Sequence, residues 1–204
     1  MSVNKVRPEE RRGRPRAFNT EEALDRALQV FWRKGYEGAS LDELTGAMGI
    51  SRPSLYAAFG DKERLFRKAL DRYAEGPSSF GREALKEPTA RAVVERFLLG
   101  AVKMQADPST PPGCLMVHGA LASGDGADSI RRELNSRRAA DEAGLRRRLI
   151  RAKAEGDLPP DANPADLARY VVTVVRGMAV QAAGGATHKE LRRVVRLALR
   201  AWPE

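Results

Sequence analysis

The 204-residue chain is short of cysteine, histidine and long apolar runs, and each shortage excludes a class of protein. A single cysteine rules out an intramolecular disulfide, and with only two histidines there are too few residues for a structural zinc site of Cys and His. No metal and no cofactor is expected, and the cysteine usage fits a reducing, cytoplasmic compartment. No stretch approaches the roughly 18 consecutive apolar residues of a membrane span, and the opening MSVNKVRPEERRGRPRAF lacks the apolar segment of a secretory leader. Neither export nor a membrane partner is expected. Strand signals are scarce too. The one β-branched cluster, Val171, Val172, Thr173, Val174 and Val175, lies inside a long Ala-rich segment, and no hairpin dipeptide separates alternating apolar runs.

What is present reads as an all-α chain of about nine helices whose starts are marked by capping residues. Asn19 with Glu22 opens a helix carrying Ala23, Leu24, Ala27, Leu28, Phe31 and Trp32 on one face, and Gly35 stops it. Ser40 with Glu43 opens a short helix ending near Met48 and Gly49. Ser51 opens the next, with Pro53 in its first turn and Leu55 and Phe59 facing inward. Asp61 caps a helix that runs to about Glu75. Residues 76–87, with two Gly, one Pro and two Ser, read as a linker or loosely helical joint. Beyond it the pattern predicts helices over about 89–106, 114–123 and 127–155, another from Asn163 to about Ala183, and a last from Thr187 to Trp202. The expected domains are a flexible basic arm over 1–17, a helix-turn-helix DNA-binding domain over 18–75, and a regulatory and dimerisation domain over 76–204.

Charge points to a polyanionic partner. Lys and Arg number 36 against 27 Asp and Glu, a net +9, and only six of those cations precede residue 17. Two short helices joined by Gly49 and Ile50, each capped by a Ser, make a three-helix helix-turn-helix unit with the first, or an ordinary helical corner. The basic arm upstream favours the DNA-binding reading. Within that arm, Arg12-Gly13-Arg14-Pro15-Arg16 has the make-up of a minor-groove reader, Gly allowing close approach and the Arg side chains entering a narrow A·T-rich groove. Non-specific charge is the plainer alternative.

The run Ala27-Leu28-x2-Phe31-Trp32-x2-Gly35-Tyr36-x2-Ala39-Ser40-Leu41-x2-Leu44, followed by Met48-Gly49-Ile50-Ser51-Arg52-Pro53-Ser54-Leu55-Tyr56-x2-Phe59-Gly60-Asp61-Lys62-x2-Leu65-Phe66, resembles the TetR/AcrR transcriptional regulators. The resemblance covers about residues 18–73; the rest is similar only in helix count and length. It implies a homodimer that places one helix-turn-helix per subunit in the major groove of a palindromic double-stranded operator, usually to repress a gene. By motif position, Ser40 and Ser51 would cap helices and touch phosphates, and Tyr56 and Lys62 would grip the backbone. Arg52, Pro53, Ser54 and Ala57 would approach base edges. Arg suits guanine O6 and N7, whereas Pro and Ala offer only apolar contacts.

The C-terminal domain names no ligand. Its last two long helices carry apolar or small residues that suit both an intrachain core and a close-packed dimer interface, the small cluster being Gly177, Ala179 and Ala183. An unknown small-molecule effector would sit among the helices, with Phe97, Leu98, Ala101, Met104, Gln105, Met116, Leu121, Tyr170, Thr173 and Met178 as candidate walls, though such residues are commonly plain core. Arg176, embedded in an apolar helix, must find a carboxylate, a carbonyl or a ligand. Cys114, at a helix N-terminus with His118 one turn on, is either a sensor thiol or an inert small hydrophobe. The arginines of 131–151 span several turns and face more than one direction, which reads as a solvated helix surface, the alternative being an anionic effector paired to one inward Arg such as Arg176. No phosphate loop, nucleophile elbow or metal-spaced cluster is present, so no catalytic residue and no enzyme activity is expected. A DNA-binding protein without any effector is the remaining alternative.

Overall fold

Ten helices and no strand make up the described residues, 18–121 and 127–203, of the computed structural model. Nine match the expected ones: α1 (Thr20–Gly38), α2 (Leu41–Met48), α3 (Arg52–Phe59), α4 (Lys62–Glu75), α6 (Ala90–Ala106), α7 (Leu115–Leu121), α8 (Asp128–Ala154), α9 (Pro164–Ala183) and α10 (His188–Arg200). The tenth, the five-residue α5 (Phe80–Ala84), lies in the joint. The basic arm, with Arg12, Arg14 and Arg16, lies outside the described residues.

The caps do what their chemistry requires. Asn19, Ser40, Ser51, Asp61, Asn163 and Thr187 each accept a backbone N–H in the first turn of the following helix, satisfying donors that no helix can pair internally. At Ser40 and Thr187 the capping box is complete, Glu43 and Glu190 reaching back to the cap backbone. Helical geometry in α1 breaks at Gly35, as its sequence suggested.

Two cores divide the molecule, and they do not follow the chain. One joins α1–α4 through Trp32, Phe31, Phe66, Leu70 and Tyr73, and it is completed by Leu115 of α7 and Ala127, Ile130 and Leu134 at the start of α8. The other joins α5, α6, the second half of α8, α9 and α10. Aromatic edges knit the first core: Phe31 meets Phe66 at 4.9 Å and 78°, and Trp32 meets Tyr73 at 4.8 Å and 89°. The Trp32 Nε1–H donates to the Gly113 carbonyl at 3.2 Å, 81 residues away and buried. Gly113 is held at φ 91°, and a Cβ there would lie 2.1 Å from the His118 ring, so only glycine fits this turn.

The arginines of α8 are not one solvated face. Arg148 is 6% exposed and donates to the Glu87 and Pro88 carbonyls at 2.8 Å each, tying α8 to the joint. Arg137 pairs with Asp71 and Glu133, both at 2.7 Å. Arg131, Arg132, Arg146, Arg147 and Arg151 are exposed.

Because Leu134 of α8 is part of the helix-turn-helix core, Leu134→Ala is expected to cost about 2–5 kcal/mol. Amide exchange should then lose protection in α1 and α4 as well as α8. Loss confined to α8 would show that the two segments do not share a core.

Candidate nucleic-acid interface and effector cavity

α2 and α3 are joined by Gly49, whose φ of 69° lets its N–H close α2 against the Gly46 and Thr45 carbonyls. Leu44, Met48, Leu55 and Phe59 bury the inner faces. This turns Arg52, Pro53, Tyr56 and Ala57 outward together, one helical turn apart, with Tyr56 49% exposed. Ser54 is half-buried, its hydroxyl 2.9 Å from that of Ser51. Ser40 and Ser51 are exposed at the two helix starts. Lys62 lies at the start of α4 with its ammonium 4.6 Å above the Tyr36 ring, and burial there lowers its pKa. The structure thus brings the sequence-identified residues of α3 to one surface and holds Lys62 beside it.

One participant was missed. The Arg52 guanidinium donates to Asp42 of α2 through Nε at 3.1 Å and Nη2 at 2.7 Å. Asp42 stands beside Glu43 in the first turn of α2, and its sequence position gives no sign of the pairing with Arg52. Both side chains are exposed, so the pair is weak and exchangeable.

A cavity of about 390 Å³ lies between the two cores. Phe97, Met104, Gln105, Cys114, Met116 and Arg176 line it, as do residues the sequence did not single out: Tyr73 and Ala74 at the end of α4, Phe80, Gly81 and Arg82 of α5, and Asp141 and Gly144 of α8. Other expected wall residues lie elsewhere. Leu98, Ala101 and Met178 are buried in the second core, Tyr170 and Thr173 are exposed on α9, and His118 packs against Gly113. The Leu121 side chain is outside the described residues. Arg176 donates to the Arg138 carbonyl at 3.1 Å and faces Glu142 at 3.9 Å, partners of the kind its setting demanded.

Cys114 opens onto the cavity, with protein around nearly all the rest of it. Its Sγ accepts the Tyr73 hydroxyl at 3.2 Å, and burial pushes the thiol pKa up. That corrects the expected helix-terminus effect: desolvation outweighs the backbone N–H groups that favour a thiolate. His118 gives Cys114 only its backbone N–H, which reaches the Cys114 carbonyl. Burial also raises the Asp141 pKa, with Arg176, Arg137 and Arg82 pulling it back. Among the described residues, no group of three His, Cys, Asp or Glu could hold a metal, and no helix is long and apolar enough to cross a membrane.

Comparison with known proteins agrees with this geometry. Residues 23–69 match the model of the bacterial regulatory proteins of the tetR family, and residues 89–202 match the tetracyclin repressor-like C-terminal domain. The chain belongs to the TetR family. It is 33% identical over 195 residues to the HTH-type transcriptional repressor ComR of Escherichia coli K12, covering 95% of this chain and 93% of that one. A cysteine mutant of the TetR family regulator CifR, solved with 26bp double-strand operator DNA, is 43% identical with a TM-score of 0.89, over 93% of this chain and all of that one. A TetR regulator from Rhodococcus sp. RHA1 is 42% identical with a TM-score of 0.63, over 89% and 98%.

Two outcomes follow from these charges. Asp42→Ala removes an anion beside the outward face of α3, so affinity for duplex DNA of any sequence should rise about two- to fivefold in anisotropy titrations; a fall would mean that Asp42 itself aids binding. Asp141 has a folded pKa above its unfolded one, so its ionisation costs stability above the folded pKa and nothing below the unfolded pKa. Asp141→Asn should therefore raise Tm at pH 8, and the gain should fade as the pH drops through the ordinary carboxylate range to about 3.5. A gain equal at both pH values would contradict this.

Proposed function

We propose that the protein is a homodimeric repressor that binds a palindromic operator through α3 and leaves it when a small molecule occupies the cavity. The observation that carries the reading is a shared wall. Tyr73 and Ala74, at the end of the helix that begins with Lys62, line the cavity, so one rigid helix touches both the nucleic-acid face and the effector space. Support for operator binding comes from the CifR complex, and support for repression from the name of the ComR relative.

Two heads require a dimer, and α9 and α10 leave an apolar stripe for one. Tyr170, Gly177 and Val180 of α9 and Val194 and Leu197 of α10 are exposed, Leu197 by 63%. At Gly177 a Cβ would meet nothing within 4 Å, which leaves room for a second helix to approach closely. Val171, Met178, Ala182, Leu191, Val195 and Trp202 belong to the subunit's own core and are not available.

Release needs only differential affinity. A ligand that prefers the non-binding arrangement a hundredfold, about 2.7 kcal/mol, weakens operator affinity by up to the same factor at saturation. Filling an apolar cavity of this size supplies that with a few side-chain contacts. The buried, proton-holding state of Cys114 disfavours the alternative of a thiolate sensor.

Arg52→Ala should weaken operator binding and relax preference at one base pair by about 1–3 kcal/mol, whereas Lys62→Ala should weaken all sequences alike. A competition assay in which Arg52→Ala changes neither affinity nor preference would refute the role of Arg52. Leu197→Arg places a charge in the proposed interface; sedimentation should find monomers, with operator affinity lower by at least tenfold. A dimer that survives this change unaltered lies elsewhere on the surface.

A further inference from the structure

The cavity wall carries five arginines and one carboxylate, and the cations are not balanced alike. Arg137 is paired with Asp71 and Glu133. Arg82 donates to the Ala74 carbonyl at 2.9 Å, and its charge acts on Asp141 together with those of Arg176 and Arg137. Arg147 is exposed to solvent. Arg138 has no carboxylate partner among the described residues: its Nη1 donates to the Met116 carbonyl at 2.9 Å and its Nη2 to the Asn135 side-chain oxygen, both neutral acceptors. Burial and the charge of Arg176 both lower its pKa, so the protonated form is held there at a cost. Arg176 donates to the Arg138 carbonyl at 3.1 Å, and its ion pair with Glu142 is long at 3.9 Å, that carboxylate being held more closely by Arg169 at 3.1 Å. The two guanidiniums also stand at a junction. Val117, Arg138 and Arg176 line both the cavity and an adjoining, more open groove of about 440 Å³ bounded by α7, α8 and α9.

We infer that the cavity takes a largely apolar monoanion whose carboxylate is held by Arg138 and Arg176 where cavity and groove meet. The inference rests on the reading of the cavity as the effector site and gives that effector a chemical class and an orientation. A carboxylate at the junction accepts charge-assisted N–H bonds, about twice as strong as neutral ones, and the planar guanidinium fork matches its two oxygens. It also sets an attraction to both half-buried cations against their mutual repulsion. Little has to give way. Arg138 has five N–H donors and two printed acceptors, so it keeps both of them, and Arg176 yields only its 3.9 Å contact. A neutral head group lacks the charge that answers Arg138, and a cationic one adds a third positive charge to the pair. Asp141 opposes an anion, but it is a single exposed carboxylate in a wall of five guanidiniums. The rest of the lining is mostly apolar, with Phe80 and Phe97 meeting edge to face at 5.7 Å, and it accepts the body of the molecule. The volume of about 390 Å³ lies within the range of roughly 300–1,000 Å³ usual for small-molecule sites.

One skeleton with three head groups tests this on the full-length protein: 2-naphthylacetate, 2-naphthylacetamide and 2-naphthylethylamine, with binding to the free protein followed by calorimetry near neutral pH. The acetate should bind at least tenfold more tightly than the amide, and the amine no more tightly than the amide. Arg138→Gln, which can still donate to the Met116 carbonyl but carries no charge, should cut the acetate's advantage at least fivefold while amide binding stays within twofold. Arg147→Gln removes an exposed cation from the same wall and should change that advantage less than twofold. Should Arg138→Gln fail to fold, Arg176→Gln should remove at least threefold of it. Amide or amine binding as tight as that of the acetate, no binding by the acetate, an advantage that survives loss of the junction arginine, or an equal loss in Arg147→Gln overturns the inference. Operator release is read separately. Acetate that binds through Arg138 without releasing DNA would refute the effector reading and leave the ligand class standing.

Discussion

The buried hydrogen bond from Trp32 to the Gly113 carbonyl is the constraint on which the rest depends. It ties the first helix of the reading head to the turn that precedes α7, and Tyr73 extends the tie by packing on Trp32 and donating to Cys114. Tyr73 is 1% exposed, and its hydroxyl finds its partners in the 104–114 region, donating to the sulfur atoms of Cys114 and Met104. The head therefore cannot shift relative to α7 without either repacking two aromatic rings or leaving a buried donor unpaired. That makes the α4–α7 contact a stiff coupling, and it is also the wall of the cavity.

The surface electrostatics have the opposite character. Arg52 rests on Asp42, Lys34 on Glu43, Arg67 on Glu63, and Arg72 on Asp25 and Glu21. Most of these groups are well exposed, and such pairs contribute about 0–1 kcal/mol each. Exchanging a carboxylate partner for a phosphate is then cheap, while release of condensed counterions favours association. A rigid core beneath weakly committed surface charges gives a head whose shape is fixed before DNA arrives and whose cations are free to regroup on it.

The sequence made the local structure readable because its signals are local. Ser40, Ser51, Asp61, Asn163 and Thr187 each cap a helix through bonds that span two or three residues, and the outward face of α3 follows from the burial of Leu55 and Phe59 alone. The places where reading failed depend on distant partners. Ile130 and Leu134 complete a core built about a hundred residues earlier, which no window on α8 reveals. Arg148 looks like its exposed neighbours until the carbonyls of Glu87 and Pro88 are seen beneath it. Asp141 sits in a stretch of mixed charge, and only the arrival of α4 and α5 makes it part of a cavity wall. Met178 and Ala101 had the composition of a pocket and the position of a core, since apolar residues at helical spacing serve either.

The central claim is that occupying the cavity moves the head through α4 and α7. Gly144 lines the cavity from a helix interior, where an added Cβ would meet only ordinary contacts at 3.8 and 3.9 Å. Gly144→Phe therefore carries a phenyl ring into that space as a tethered ligand, at no cost in helix propensity. Operator affinity of this variant, measured on protein whose Tm is not reduced, is the direct test. The account predicts a loss of tenfold or more, with Arg52 and every other residue of the α3 face intact. Full operator affinity in a folded protein with its cavity filled would contradict it.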